Sequence, residues 1–189
     1  MPVSPPQWFV KFTGTAKTRA SRSWAIREAG HTYQRACFYS RRPTGVKDGA
    51  VMFLSWLVQE PNGILIFGRA IAHAHVPGRD ETTAEEILEK DWKKDWRFKI
   101  RLRDVEFMGG TLSLGISLND LMDELGAGSF RSTSDNAARG DGKVDPRRAY
   151  LRKPQVELTP RAAAWLGERL DERMRAHGRL TQADLVRRA

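Results

Sequence analysis

The sequence predicts an α+β fold built round a curved sheet or small barrel. Three observations predict it. At least four segments have strand length and strand composition. Short capped helical segments lie between them. The chain has 189 residues, 40% hydrophobic and 29% charged, which is enough for one well-buried core and too little for two sizeable domains. The expected organisation is a single domain over residues 1–177 followed by a tail over 178–189.

The elements follow in order. Gln7–Thr13 is an aromatic and β-branched run typical of a strand. Residues 14–49 mix Gly, Thr, Ser and Arg with the apolar islands Trp24–Ile26 and Ala36–Tyr39, and they carry no clear period. Lys47-Asp48-Gly49 is a turn signal. Ala50–Val58 is almost continuously apolar, as a buried strand would be. Glu60-Pro61-Asn62-Gly63 is a second turn, and Ile64–Val76 is the returning strand of a hairpin. Gly68 inside that strand suggests a bulge or a close backbone approach. Thr83–Asp91 reads as a helix with Thr82 or Thr83 as its N-cap. Phe98–Phe107 alternates, with Phe98, Ile100 and Leu102 on one face and Lys99, Arg101 and Arg103 on the other. Ser117 caps a short helix that Gly126 closes. Residues 126–148 lack periodicity and read as a long functional or disordered loop. Thr159-Pro160 opens a long helix to about Ala176, with Ala163, Leu166, Leu170 and Met174 on one stripe. Gly178 ends it, and Thr181–Asp184 has the form of a capping box for a last turn or two.

Charge bears on function. Thirty-two Lys and Arg against 23 Asp and Glu give a net +9 and a pI near 10.1, a balance that favours a polyanionic partner. The bases are blocked. Residues 1–42 hold eight against Glu28 alone, residues 92–103 hold six against Asp95, and residues 131–153 hold seven against three acids. No apolar run is long enough for a membrane helix. MPVSPPQW lacks the features of a secretory signal, and a single cysteine, Cys37, leaves no disulfide framework. A cytoplasmic, monomeric protein with no cofactor is expected.

Conventional catalytic signatures are weak. His73 and His75 could share a strand face, but no ligand cluster accompanies them. There is no Walker loop, GxGxxG or GxSxG. Cys37, with His31 and nearby arginines, makes only a faint nucleophile candidate. The tryptophans say more. Trp8 and Trp165 read as core residues. Trp24 lies among Arg19, Ser21, Arg22, Ser23 and Arg27. Trp92 and Trp96 lie in the basic segment DWKKDWRFK, and Trp56 follows Ser55 near a strand end. An indole offers a stacking face worth about 1–3 kcal/mol per base, and neighbouring cations hold phosphates. Packing in the core competes with this reading for each tryptophan taken alone.

The order of these features resembles the EVE branch of the PUA-like superfamily, which also contains YTH, ASCH and SRA domains. The resembling pieces are Trp8–Phe12, VKDGAVMFLSW, GILIFGRAIA, WRFKIRLRDVEF, and SLNDLMDELG with the following GSFRST. They span about residues 7–153, and the segment 159–170 matches less specifically. The resemblance implies a PUA-like β-barrel of about five to six strands flanked by short helices, with a longer C-terminal helix. It also implies a pocket that holds one flipped, often methylated, nucleobase. Ser21–Trp24 stands where the YTH branch has a cage wall, and Trp92 or Trp96 falls where a second wall occurs. Residues 14–49 and 126–148 depart from the family pattern.

The expected function is therefore a reader of DNA or RNA that flips a modified base into an aromatic cage. The base pocket would be formed by Ser23, Trp24, Ser55, Trp56, Trp92, Trp96 and Asn136. The backbone contacts would come from Lys17, Arg19, Arg22, Lys99, Arg101, Arg131, Arg139 and Arg147. No catalytic residue and no metal are expected, and any cleavage would belong to a separate nuclease or effector chain. The alternative is a small ASCH-like hydrolase of modified nucleosides, with Lys11, Thr13 and Glu60 as nearest candidates. A module binding an acidic protein is a third reading.

Overall fold

The computed structural model describes residues 6–16, 24–30, 37–41, 45–58, 63–140, 144–149 and 155–186. It is a mixed α+β structure whose sheet curls into a half-barrel. The strands are β1 (Trp8–Ala16), β2 (Cys37–Ser40), β3 (Ala50–Val58), β4 (Gly63–Ala72), β5 (Phe98–Met108), β6 (Ile116–Ser117), β7 (Gln155–Glu157) and β8 (Arg179–Thr181). The helices are α1 (Ile26–Gly30), α2 (Ala84–Glu89), α3 (Leu118–Leu125), α4 (Arg131–Ala138), α5 (Pro160–His177) and α6 (Gln182–Val186).

The main path of the sheet is β2-β5-β4-β3-β1-β7, with β6 added to β4 and β8 added to β5. β1 runs parallel to β3, and the other pairings are antiparallel. β1 and β2 stand at distant places in this order, yet the Lys11 ammonium sits 5.3 Å from the centroid of the Phe38 ring. The sheet must curl to bring them together.

Residues paired across strands share a face. Lys11 pairs with Leu54 and Gly14 with Trp56, Leu54 with Gly68, Gly68 with Phe107, and Phe38 with Ile100. These residues form the inner face. Val51, Phe53, Arg69 and Ile71 turn the other way, toward α5, where a groove of about 440 Å³ runs between them and Pro160, Ala163, Ala164 and Gly167. The hairpin β3–β4 forms as expected, and its pairing shifts so that Phe67 is an extra residue. Beside that bulge Gly68 makes the close approach its sequence suggested. A Cβ there would lie 2.5 Å from a Phe107 ring carbon and 2.6 Å from the Glu106 carbonyl oxygen. A second bulge, on β5, contains Asp104 at φ 51°, a left-handed conformation that Asp tolerates better than most residues.

The end of β4 and the segment 126–148 depart from expectation. β4 stops at Ala72 instead of Val76, and the Val76 N–H donates to the Asp80 carboxylate at 2.9 Å instead of continuing a ladder. The loop expected over 126–148 contains a 3₁₀ turn (Gly126–Ser129), α4, and another 3₁₀ turn (Pro146–Arg148). Its order does not come from an apolar period. Phe130 is fully buried, and side-chain hydroxyls tie the turn. Thr133 donates to the Ala127 carbonyl at 2.7 Å and the Phe130 carbonyl at 3.0 Å, and Ser129 donates to the Gly126 carbonyl at 2.7 Å.

Capping signals are realised. Thr83 and Glu86 form a capping box on α2, and Ser117 caps α3, which buries Leu118, Leu121 and Met122. Thr159 caps α5 with Pro160 in the first turn, and α5 buries Ala163, Leu166, Leu170 and Met174 as one stripe. Past Gly178, β8 pairs with β5 and Leu185 is buried. No described helix is long and apolar enough to cross a membrane.

Candidate functional site

Two aromatic groups stand out, and they divide the tryptophans expected in one pocket. The first begins in the short stretch before α1. The Trp24 carbonyl accepts from the Leu112 N–H at 3.0 Å, and the Ile26 N–H donates to the Gly110 carbonyl at 2.8 Å. With Ile26 fully buried, these bonds pin the stretch and leave the Trp24 ring 41% exposed. Its ring meets Trp56 edge-to-face, with centroids 5.9 Å apart. Trp56 is buried and continues inward to Phe67 and then Phe107. The structure thus brings Trp24 and Trp56 together. Ser55 is next to Trp56 in sequence, but strand alternation turns it to the opposite face, where its hydroxyl donates to the Lys11 carbonyl at 3.0 Å.

The second group lies on the 3₁₀ turn Asp91–Asp95 and the adjoining end of β2. Trp92 is 49% exposed and meets Tyr39 edge-to-face at 5.3 Å. Trp96 lies under the Arg41 guanidinium at 5.0 Å. Between them Lys93 is buried, with its ammonium 5.3 Å from the centroid of the Tyr39 ring and 3.9 Å from Glu89. Asn136 sits on α4, where Arg139 donates to its side chain. Ser23, Lys17, Arg19 and Arg22 lie outside the described residues, as do His31, Glu60 and the Cys37 side chain.

Among the described residues, four of the cations expected to contact the backbone have carboxylate partners. Lys99 pairs with Glu86 at 2.5 Å and Arg101 with Asp80 at 2.5 Å. Arg147 pairs with Asp123 at 2.5 Å and Arg131 with Asp135 at 3.7 Å. Sequence reading missed Asp80, because an acid in a polar turn gives no sign that it will be buried. Its carboxylate accepts from Arg79, Arg101 and the Val76 N–H. The Arg79 bond leads the effects that hold its pKa far below the usual carboxylate range. Arg41, Lys90 and Arg97, around the second aromatic group, have no carboxylate within ion-pair range among the described residues.

Lys11 is the most unusual charged group on the inner face. It is 3% exposed, it contacts Phe38, and burial pushes its pKa down to about 8. Thr13 donates to the Ser55 carbonyl at 2.8 Å. His73 lies 3.1 Å from Asp48, and His75 sits edge-on to Phe98. No group of three or more His, Cys, Asp or Glu that could hold a metal occurs among the described residues. Comparison with protein-family models gives no match, and neither does comparison with curated proteins.

Proposed function

We propose that this chain is an EVE-type, PUA-like reader that holds a flipped, modified nucleobase of DNA or RNA against Trp24. The observation that carries the reading is the half-exposed Trp24 ring, fixed by backbone bonds to residues 110–112 and backed by the buried Trp56. A large apolar ring held open to solvent beside a basic segment is what base stacking needs. Extrusion of a base costs a few kcal/mol, which stacking and edge hydrogen bonds must offset. The reader acts without catalysis in the cytoplasm, and any cleavage comes from a separate nuclease or effector chain. The test is a binding screen over oligonucleotides with methylated, hydroxymethylated and unmodified bases at fixed salt. Trp24→Ala should weaken binding to the preferred modified oligonucleotide by about tenfold and weaken the unmodified one less. Equal losses would remove the cage from the reading.

One observation favours the hydrolase reading as a second choice. Lys11 is a buried amine with a pKa near 8, the range in which a lysine can act as a base or nucleophile near neutral pH. Release of free cytidine from an N4-acylcytidine by the purified protein, abolished in Lys11→Ala, would establish it.

A further inference from the structure

The groove of about 440 Å³ between the outer face of the sheet and α5 has no part in the base-pocket reading. Its volume is that of a site for one small molecule. Two cross-strand rows make its sheet wall. Trp8, Val51 and Ile71 form an apolar row, and Phe53, Arg69 and Glu106 form the next. The helix wall is shallow, with Ala163, Ala164 and Gly167 lining it. Gly167 is the residue the fold alone does not explain. It lies inside an 18-residue helix, where glycine is less stable than alanine. It is not among the residues of positive φ, so the backbone does not require glycine. A Cβ built on it would meet nothing within 4 Å, so crowding does not require it either. Its missing side chain leaves the groove open up to the helix backbone, the kind of close approach for which glycine is used beside ligands. Arg69 sets the polar end of the groove. Its Nε donates to Glu106, and its Nη2 donates at 2.8 Å to Asp171, one helical turn past Gly167. Its Nη1 has no acceptor among the described residues. Two carboxylates already balance the guanidinium charge, so they would repel an anionic ligand, whereas a neutral acceptor would engage the remaining N–H groups.

We propose that this groove binds a small, neutral, largely apolar molecule that carries a hydrogen-bond acceptor such as a carbonyl. The apolar body lies between Trp8, Val51 and Ile71 on the sheet and Gly167 on the helix, and the acceptor meets Arg69. The site is on the face of the sheet opposite Lys11 and Trp56, so it does not depend on the base-pocket reading.

The test uses the full chain and prodan, a neutral naphthalene fluorophore with one carbonyl and one dimethylamino group. Titration should show saturable binding with a Kd of about 100 µM or tighter, the range a ligand of that size reaches. Dimethylaminonaphthalene, which lacks the carbonyl, should bind about tenfold more weakly, and so should dimethylaminonaphthoate, whose carboxylate adds a charge. Gly167→Leu fills the groove and should weaken prodan binding at least tenfold, with Tm no lower than wild type. Gly167→Ala should raise Tm by about 2–4 °C. In ¹⁵N–¹H spectra of the wild type, the Ala164 and Gly167 amides should move as prodan is added. Gly167→Leu should leave any oligonucleotide binding at its wild-type strength, so failure here and failure of the base pocket are read separately. The proposal is overturned if prodan does not saturate, if either analogue binds as tightly, if Gly167→Leu keeps the wild-type affinity, or if the two amides stay still. A fall in Tm for Gly167→Ala would show that packing holds the glycine and would overturn it too. So would a wild-type dimer that Gly167→Leu dissolves in sedimentation, because the groove would then belong to a second copy of the chain.

Discussion

Lys11→Met should make the protein more stable at neutral pH. Lys11 is 3% exposed and has an aromatic ring, but no carboxylate among the described residues, to offset its charge. Burial lowers its pKa from the ordinary 10.5 to about 8. At 1.36 kcal/mol per tenfold change in proton affinity, that gap corresponds to a penalty of about 3 kcal/mol on the charged form. The sign follows from proton binding. Between pH 8 and 10.5 the unfolded chain holds the proton that the folded chain has released, so stability rises with pH through that window. Below pH 8 the penalty is present in full, and above 10.5 it is gone. Methionine has a similar length and no charge, but it forfeits the attraction to Phe38, worth about 1 kcal/mol. The expected net gain at pH 7 is about 2 kcal/mol, or about 4–8 °C in Tm for a chain of this size. Urea denaturation at pH 7 and pH 10 measures it, and comparison of variant with wild type cancels the other groups that titrate there. A variant no more stable than wild type at pH 7, or an advantage that does not shrink by pH 10, would refute the reasoning.

Three other outcomes follow from particular contacts. Gly68→Ala places a methyl 2.6 Å from the Glu106 carbonyl oxygen, a backbone atom that cannot swing away, so thermal melting should show a loss of about 1–3 kcal/mol. Asp80→Asn strands Arg79 and Arg101, and because both are about half exposed the loss at pH 7 should be about 1–3 kcal/mol. The depressed Asp80 pKa means its contribution is present above about pH 4 and is lost as pH falls further, so acid titration of the Asn variant should lack that part of the wild-type decline. If the chain binds an oligonucleotide, Arg97→Ala should shallow the salt dependence by about one unit of slope. Arg101→Ala, whose guanidinium is occupied by Asp80, should leave the slope unchanged. The opposite pattern, read from affinities between 50 and 200 mM salt, would put the phosphates on β5.

The parts of the fold legible in the sequence are those encoded by neighbours in the chain. The hairpin, the alternation of β5 and the capped helices α2, α3 and α5 depend on local period, turn residues and caps, and each lies where that logic puts it. β2, β7 and β8 have four residues or fewer. A run that short carries no period, and it becomes a strand because β5 or β1 lies next to it. α4 escaped for a different reason. Its sequence, RSTSDNAA, has almost no apolar face, and its anchor is Phe130 just outside it together with the Thr133 hydroxyl.

The site was legible only as composition. Aromatic and basic residues were visible as types, but whether they share a pocket depends on strand register. Register is why Trp56 faces Trp24 while Ser55 faces away, and why Trp92 and Trp96 gather round Tyr39 and Arg41 instead. Net charge and cations open to a ligand are different quantities. Lys99, Arg101 and Arg147 look available in a list of cations, yet each is held by an acid distant in the chain. An ion pair of that kind leaves the net charge of +9 unchanged while it occupies the cation's donors, so net charge alone overstates the surface open to phosphate. The cations without a carboxylate partner among the described residues border Trp92 and Trp96, whereas Trp56 lies against Trp24. A nucleic acid that used both would hold its backbone at one aromatic group and a single base at the other. Trp92→Ala should then weaken every oligonucleotide alike, and Trp24→Ala should weaken them according to the base.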